Sequence, residues 1–187
     1  MLRLTLSLTI LVTLAASALA QSPQPLTALD YFEIQQLVAK YARAIDTCSN
    51  NGYDYADLFT ADGVFASEQD GKAIDRARGR EKLAEVSGGG SRGCKNVGWI
   101  KQGVKHLYVN HIITPTAEGA TGTVDMLMIG LDNDPYRIRH EGYYEDTYVR
   151  TPQGWRFKSR LHHVPTRPAP AQGAAPQRSG GAPAQPR

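Results

Sequence analysis

Gly142-Tyr143-Tyr144-Glu145-Asp146-Thr147-Tyr148-Val149-Arg150-Thr151-Pro152-Gln153-Gly154-Trp155-Arg156-Phe157-Lys158-Ser159-Arg160 decides the fold. Aromatic and β-branched residues flank the turn composition Thr151-Pro152-Gln153-Gly154, so the stretch predicts two antiparallel strands over 136–150 and 155–164. On the first of them Ile138, His140, Tyr144 and Tyr148 share one face, and Arg137, Arg139, Glu141 and Glu145 share the other. The first set is expected to face inward. Two more β-rich segments precede it, over 104–116 and 121–130. In the earlier one His106, Tyr108, Asn110 and Ile112 fall together, opposite Leu107, Val109 and Ile113, and alternation alone leaves the inward face open.

Further toward the N-terminus the period changes from two to 3.6. Ile34, Leu37, Val38, Tyr41 and Ile45 make one apolar helical stripe. Thr27 reads as its N-cap, with Asp30 completing a capping box and Leu26 and Tyr31 placed for a hydrophobic staple. Ser49-Asn50-Asn51-Gly52 ends the helix. A shorter helix is expected over 53–59, a turn at Asp62-Gly63, a brief strand over 64–66 and a third helix over 79–86. The Gly-rich 87–103 reads as a long loop of the kind that forms lids. Helices followed by an antiparallel run define an α+β layered fold, whose sheet curls around the first helix and leaves a cavity between them.

The two ends have other compositions. Arg3, the apolar run Leu4 to Leu14 and Ala18-Leu19-Ala20 read as a signal peptide (1–20) cut before Gln21, which predicts a secreted or periplasmic protein with no membrane anchor after cleavage. Apart from Thr166 and Ser179, residues 166–187 are Pro, Ala, Gly, Gln and Arg with nothing large enough to support a core, and read as a disordered tail. One domain, 21–165, remains. The total charge is +3; Arg3, Arg167, Arg178 and Arg187 lie outside that domain, which leaves it at −1. A near-neutral domain argues against a nucleic-acid partner. Cys48 and Cys94 are the two cysteines, and in an oxidising compartment they predict a disulfide.

Several residues can carry chemistry. Asp46 sits at the edge of the apolar stripe one turn before the helix ends, where desolvation favours a base if a histidine is near. Tyr41 lies five residues earlier, roughly 140° away around the helix. His106 and Asn110 share a strand face, with His111 opposite as the weaker candidate. The adjacent His162 and His163 point to opposite faces and no metal-binding motif accompanies them, so no metal is expected. Gly88-Gly89-Gly90-Ser91-Arg92-Gly93 lacks the Lys-Ser/Thr of a phosphate loop and reads as flexible.

Phe32 to Phe65, with its Tyr41-Ala42-Arg43-Ala44-Ile45-Asp46, the strand Lys105 to Ile112, and Gly142 to Arg160 together resemble the SnoaL-like family of the nuclear transport factor 2 superfamily, over 27–164. The resemblance implies a cone-shaped barrel enclosing a pocket for a small, largely apolar molecule. Its members include polyketide cyclases, scytalone dehydratase, a hexachlorocyclohexane dehydrochlorinase and bile acid 7α-dehydratase. Asp46 and His106 are similar to the Asp-His dyad of that branch, Tyr41 to a catalytic tyrosine, and Arg160 to an active-site arginine. Strict alternation puts Arg160 opposite Trp155 and Phe157, so that role requires a bulge. Ile45 and Phe65 stand where scytalone dehydratase has tyrosines, and Tyr144 where it has an asparagine. The expected activity is a cofactor-independent lyase or isomerase, in which His106 takes a proton from carbon and Tyr41 donates one, with Asn110, His140, Tyr144 and Arg160 binding substrate. The alternative is a non-catalytic binding protein. The partner is a small molecule, and a homo-oligomer is compatible with the family.

Overall fold

A computed structural model describes residues 25–95, 103–132 and 134–164. The leader and the tail read from the sequence lie outside these residues. The order is α1 (Ala28–Thr47), a 3-10 turn (Ser49–Gly52), α2 (Tyr53–Ala56), β1 (Phe59–Gln69), β2 (Lys72–Arg78), α3 (Arg80–Val86), a second 3-10 turn (Gly90–Arg92), β3 (Lys105–Pro115), β4 (Ala120–Asp132), β5 (Asp134–Thr151) and β6 (Gly154–His163). The strands form one curved sheet in the order β2-β1-β6-β5-β4-β3, antiparallel throughout except where β1 runs parallel to β6. This is the expected α+β architecture, helices on one face of a mostly antiparallel sheet.

Helix α1 starts where its capping box directs. Thr27 Oγ1 accepts from the Asp30 amide, and Asp30 accepts from the Thr27 amide at 2.9 Å. Asp30 is buried and does more than cap: its Oδ1 accepts the Trp155 indole N–H at 3.1 Å and it pairs with Arg150, which ties α1 to the β5–β6 hairpin. Leu26 packs on the core while Tyr31 stays largely exposed. The stripe Ile34, Leu37, Val38, Tyr41, Ala44 and Ile45 is buried against the sheet. The helix ends at Cys48 in the left-handed conformation.

The third helix expected over 79–86 is α3, and the other elements expected between 53 and 103 need correction. Helix α2 is one turn, and the brief strand is the middle of an eleven-residue β1; Asp62-Gly63 lies within it, where pairing with β6 loses register between Phe59 and Val64. An unexpected partner, β2, follows through Asp70-Gly71, both at positive φ as a tight hairpin turn requires. β2 buries only Ala77, so it is a polar edge strand without the alternation that reveals a half-buried one. The described part of the Gly-rich segment, 87–95, is an anchored clasp. Cys48 and Cys94 are joined, with Cα atoms 6.1 Å apart; Asn51 donates to the Gly90 carbonyl, and the Cys94 amide donates to the Gly88 carbonyl. Backbone lies on backbone here: a Cβ on Gly89 would stand 1.9 Å from the Asn51 carbonyl oxygen. Residues 96–102, the rest of the expected lid, lie outside the described residues. Among the described residues no helix is long and apolar enough to cross a membrane.

Candidate functional site

The inner face of the sheet is lined from β5 by His140, Gly142, Tyr144, Asp146 and Tyr148, in strict alternation. Ile138, expected to join them, is 63% exposed, because register slips by one residue at Arg139 and reverses the phase beyond it. On β6 the slip falls at Lys158: Tyr148 pairs with Phe157 and Thr147 with Ser159. That bulge turns Arg160 inward on the same side as Phe157, where it is fully buried.

The face that alternation left open on β3 is resolved by a third bulge. Leu107 and Val109 point outward and His106 and Tyr108 inward. Register with β4 then breaks between Val109 and Ile112, with Asn110 at φ 54°. Asn110 faces out and donates to Asp125 at 2.8 Å, which corrects its expected place beside His106. His111, read as facing away, comes inside in its stead and meets the Tyr148 hydroxyl at 3.0 Å. Gly122 makes the room; a Cβ there would stand 3.0 Å from the Tyr148 ring and 3.2 Å from His111 Nε2.

Asp46 and His106 are in contact, the last turn of α1 against the start of β3. His106 Nδ1 lies 2.6 Å from Asp46 Oδ1, and the His106 amide donates to Oδ2 at 3.2 Å; the two side chains are 9% and 6% exposed. A carboxylate only accepts, so Nδ1 carries a proton, and in the neutral form of the ring it is Nε2 that can take one. Tyr41 is fully buried at the centre of an aromatic cluster, with ring centroids 4.9 Å from Tyr55, 5.8 Å from Tyr108 and 6.1 Å from Tyr144. Burial, then the neighbouring tyrosines, push its hydroxyl well above the usual phenol range, so it serves as a donor and not as a base. Tyr55 donates to the Tyr41 oxygen at 3.2 Å, and the Tyr144 hydroxyl is the neighbour that can accept from Tyr41 in turn.

The Arg160 guanidinium lies over the rings of Tyr41 and Tyr144, 4.0 Å from each centroid, and 4.9 Å from Tyr108. Its Nε stands 3.5 Å from Asp146 Oδ1 without hydrogen-bond geometry. Burial raises Asp146 to about 6 despite Arg160 and the Tyr148 hydroxyl, which hold it down. His162, next to Tyr144 in a stacked pair at 4.7 Å, meets His140 at 5.4 Å; burial and then His140 lower it to about 4. His163 faces the other way, toward Glu68 and Glu145. Among the described residues no group of three or more His, Cys, Asp or Glu is placed to hold a metal ion.

Asp146 and Tyr55 are candidate site residues that the sequence reading did not single out; Tyr148 was read only as inward-facing, His111 as the weaker candidate and His162 only in the exclusion of a metal. Alternation extended from Tyr144 along β5 reaches Asp146, whereas His162 comes to the site by pairing with Tyr144 across β5 and β6, and His111 only through the Asn110 bulge. A cleft of about 410 Å³ runs between α1 and β3; His106, Tyr108 and His111 line it together with Val38, Ala42 and the outward-facing Leu107, Val109 and Asn110. Larger grooves of about 630 Å³ beside Phe32 and Arg156, and about 500 Å³ beside Ile112 and Leu161, touch neither the dyad nor Arg160.

Comparisons agree with this architecture. The SnoaL-like domain matches residues 27–161. A comparison with curated proteins gives no match. Among solved structures, an NTF2-like protein with a cystatin-like fold from Novosphingobium aromaticivorans is similar at 22% identity, over 79% of this chain and 85% of that one, with a TM-score of 0.60. A protein of unknown function from Mycobacterium tuberculosis is similar at 25% identity over 73% and 72%, with a TM-score of 0.57. ActVI-ORFA from Streptomyces coelicolor is similar at 21% over 72% and 96%, with a TM-score of 0.56. A capped helix laid across a curved six-stranded sheet, with a family match over nearly all of it, has one reading: the chain belongs to the SnoaL-like domain family, with the nuclear transport factor 2-like fold.

Proposed function

We propose that this protein is an exported, cofactor-independent enzyme of the lyase or isomerase type that acts on a small, largely apolar cyclic compound. The observation that carries the proposal is the buried contact of His106 Nδ1 with Asp46 at 2.6 Å, which fixes the tautomer that leaves Nε2 as a base. His106 removes a proton from a carbon next to a carbonyl, and the bonding pair becomes an enolate. Tyr41 donates to the enolate oxygen or, in an elimination, to the hydroxyl that departs as water. An isomerase returns the proton to a different carbon. The aromatic cluster of Tyr41, Tyr108, Tyr144 and Phe157 beside the dyad suits a flat or cyclic apolar body. Export is supported by the leader sequence and by the Cys48–Cys94 disulfide.

The test is proton chemistry on a panel of small cyclic ketones and β-hydroxy ketones in D2O, followed by NMR. Deuterium incorporation or loss of water that depends on His106 is expected for at least one compound. Compounds that bind and shift the melting temperature, none of them exchanged or dehydrated, would replace the enzyme by a binding protein that uses the same pocket.

A further inference from the structure

A buried polar chain crosses the inner face beside the dyad and has no role in the proton abstraction above. His111 Nε2 meets the Tyr148 hydroxyl at 3.0 Å, Tyr148 donates to Asp146 Oδ2 at 2.7 Å, and Asp146 Oδ1 faces Arg160 at 3.5 Å. Tyr148 gives its single proton to Asp146, so its oxygen accepts from His111 and both donors in the chain point toward the carboxylate. At the other end the hydrogen bonding is incomplete. Asp146 Oδ1 and Arg160 Nε, Nη1 and Nη2 have no hydrogen-bond partner among the described residues, and the Tyr108 hydroxyl has only the Tyr144 hydroxyl beside it, although Arg160 is 0% and Asp146 3% exposed. Buried N–H groups of a guanidinium without acceptors are costly, and here they converge with one free carboxylate oxygen. Aromatic rings pack against the guanidinium carbon, which leaves its N–H edge to bond an oxygen.

An anion placed on that edge would sit beside Asp146. Two carboxylates sharing one guanidinium in a buried site do not both stay ionised. Oδ2 is occupied by Tyr148, so the proton belongs on Oδ1, the atom that lacks a partner. We propose that the pocket binds the carboxylate, or an equally acidic oxygen, of a small apolar acid together with one proton, the anion resting on Arg160 and Tyr108 and the proton on Asp146 Oδ1, from which it is donated to the bound oxygen. This deepens the proposed function by naming a substrate class, and it rests on that reading only for the existence of a small-molecule pocket. The other titratable groups around the site are Tyr41 from α1, Tyr55 from α2, Tyr108 and His111 from β3, Tyr144 and Tyr148 from β5, and His162 from β6. Burial pushes the tyrosines up and lowers His111 and His162 to about 4, so these stay neutral between pH 6 and 8. His106 on β3 and His140 on β5 are the remaining histidines of the inner face; Asp146, raised by burial to about 6, is the group that faces the guanidinium, and its Oδ1 takes the proton.

Acetate and benzoate are the probes, with benzamide as the neutral counterpart, in titration calorimetry of the full chain at pH 7.5 in phosphate, HEPES and Tris. Their different ionisation heats count the protons. Benzoate or acetate is expected to bind with uptake approaching one proton per site, weakening close to tenfold per pH unit above pH 7. Asp146→Asn should bind without uptake and without that slope, and Tyr108→Phe should bind several-fold more weakly. Arg160→Gln, checked for folding by circular dichroism, should not bind. His106→Ala should keep the uptake, which separates this inference from the dyad. Binding without proton uptake, uptake that survives in Asp146→Asn or vanishes in His106→Ala, benzamide binding as well as benzoate, or no binding of either acid would each overturn the proposal. None of these outcomes decides the exchange experiment.

Discussion

Replacing Asp46 by Asn exchanges one carboxylate oxygen for an NH2 group and reverses the character of the base. The amide oxygen can keep the bond from the His106 main-chain N–H, now 3.2 Å from Oδ2, which turns the amide nitrogen toward Nδ1. An N–H facing Nδ1 makes that atom an acceptor, and the ring proton moves to Nε2, where the lone pair was needed. The catalytic loss expected from such a tautomer reversal is about 10⁴-fold, the size found when the same substitution is made in a Ser-His-Asp triad. The cost in stability is small by comparison. A bond to a charged acceptor, about 1.5–3 kcal/mol, is exchanged for a neutral one of about 1 kcal/mol, so the loss is about 1–2 kcal/mol. For a domain of this size that lowers the melting temperature by about 3–7 °C. Nitrogen-15 shifts of the imidazole report the tautomer without any substrate, and turnover of the compound found by exchange reports the base. A proton still on Nδ1 in the Asn variant, or activity within tenfold of the wild type, would refute the reasoning. The double variant with His106→Ala should be hardly slower than either single one, since residues that act as a unit are not additive.

Opening the Cys48–Cys94 bridge, which spans 46 residues, should cost about 4 kcal/mol in the chain-entropy view; non-reducing intact mass with thiol alkylation checks the bond, and two alkylated thiols in protein from an oxidising compartment would contradict it. Gly89→Ala, whose Cβ would meet the Asn51 carbonyl at 1.9 Å, should unfold the clasp at a cost of about 3 kcal/mol or more, against about 1 kcal/mol for Gly71→Ala, where nothing lies within 4 Å; equal melting temperatures would show that the clasp yields. Asp146, raised by burial from 3.8 to about 6, stays protonated longer in the folded chain than in the unfolded one, so its contribution to stability falls as pH rises from about 4 to about 6; His111, lowered by burial from 6.5 to about 4, loses stability in the other direction, as pH falls through the same window. Urea midpoints from pH 4 to 7 should therefore rise more steeply with pH in Asp146→Asn than in the wild type and less steeply in His111→Gln, and three parallel curves would sink both assignments.

The part of this architecture that the sequence discloses is the part written by a fixed period. The α1 stripe and its Thr27–Asp30 box are local, and they put Asp46 at the end of a buried face before anything is known of the sheet. β5 alternates without interruption from His140 to Tyr148, so its inner residues are legible once one of them is assigned. Register across strands is not local. The single-residue slips at Asn110, Arg139 and Lys158 follow from what each strand pairs with, and each reverses the face of what lies beyond it. Asn110 carries a weak signal, since Asn tolerates positive φ better than most residues, but nothing in Lys158 marks a bulge. The β1–β2 hairpin was readable from Asp70-Gly71, which is a hairpin turn by composition; the polar flanks of an edge strand concealed it.

Two of those slips act on the same buried chain. The Asn110 bulge turns His111 inward to Tyr148, and the Lys158 bulge turns Arg160 inward to Asp146, while β5 supplies Tyr148 and Asp146 from an unbroken alternation between them. A sheet selected for stability alone has no reason to bury an arginine whose nitrogens lack acceptors, because a hydrophobic side chain of similar volume is often as good or better at such a position. It also has no reason to lower two histidines and raise a carboxylate around that arginine. Departures from local pattern and departures from full hydrogen bonding coincide at His111, Tyr148, Asp146 and Arg160, and that coincidence is expected where a fold gives up stability to hold a ligand. The dyad, by contrast, satisfies both Asp46 oxygens with the chain's own groups, so it is complete before substrate arrives. On the two proposals together, the pocket divides into a base on the α1–β3 side and an anion seat on the β5–β6 side, and a substrate that filled the seat would lay its apolar body against the aromatic cluster between them.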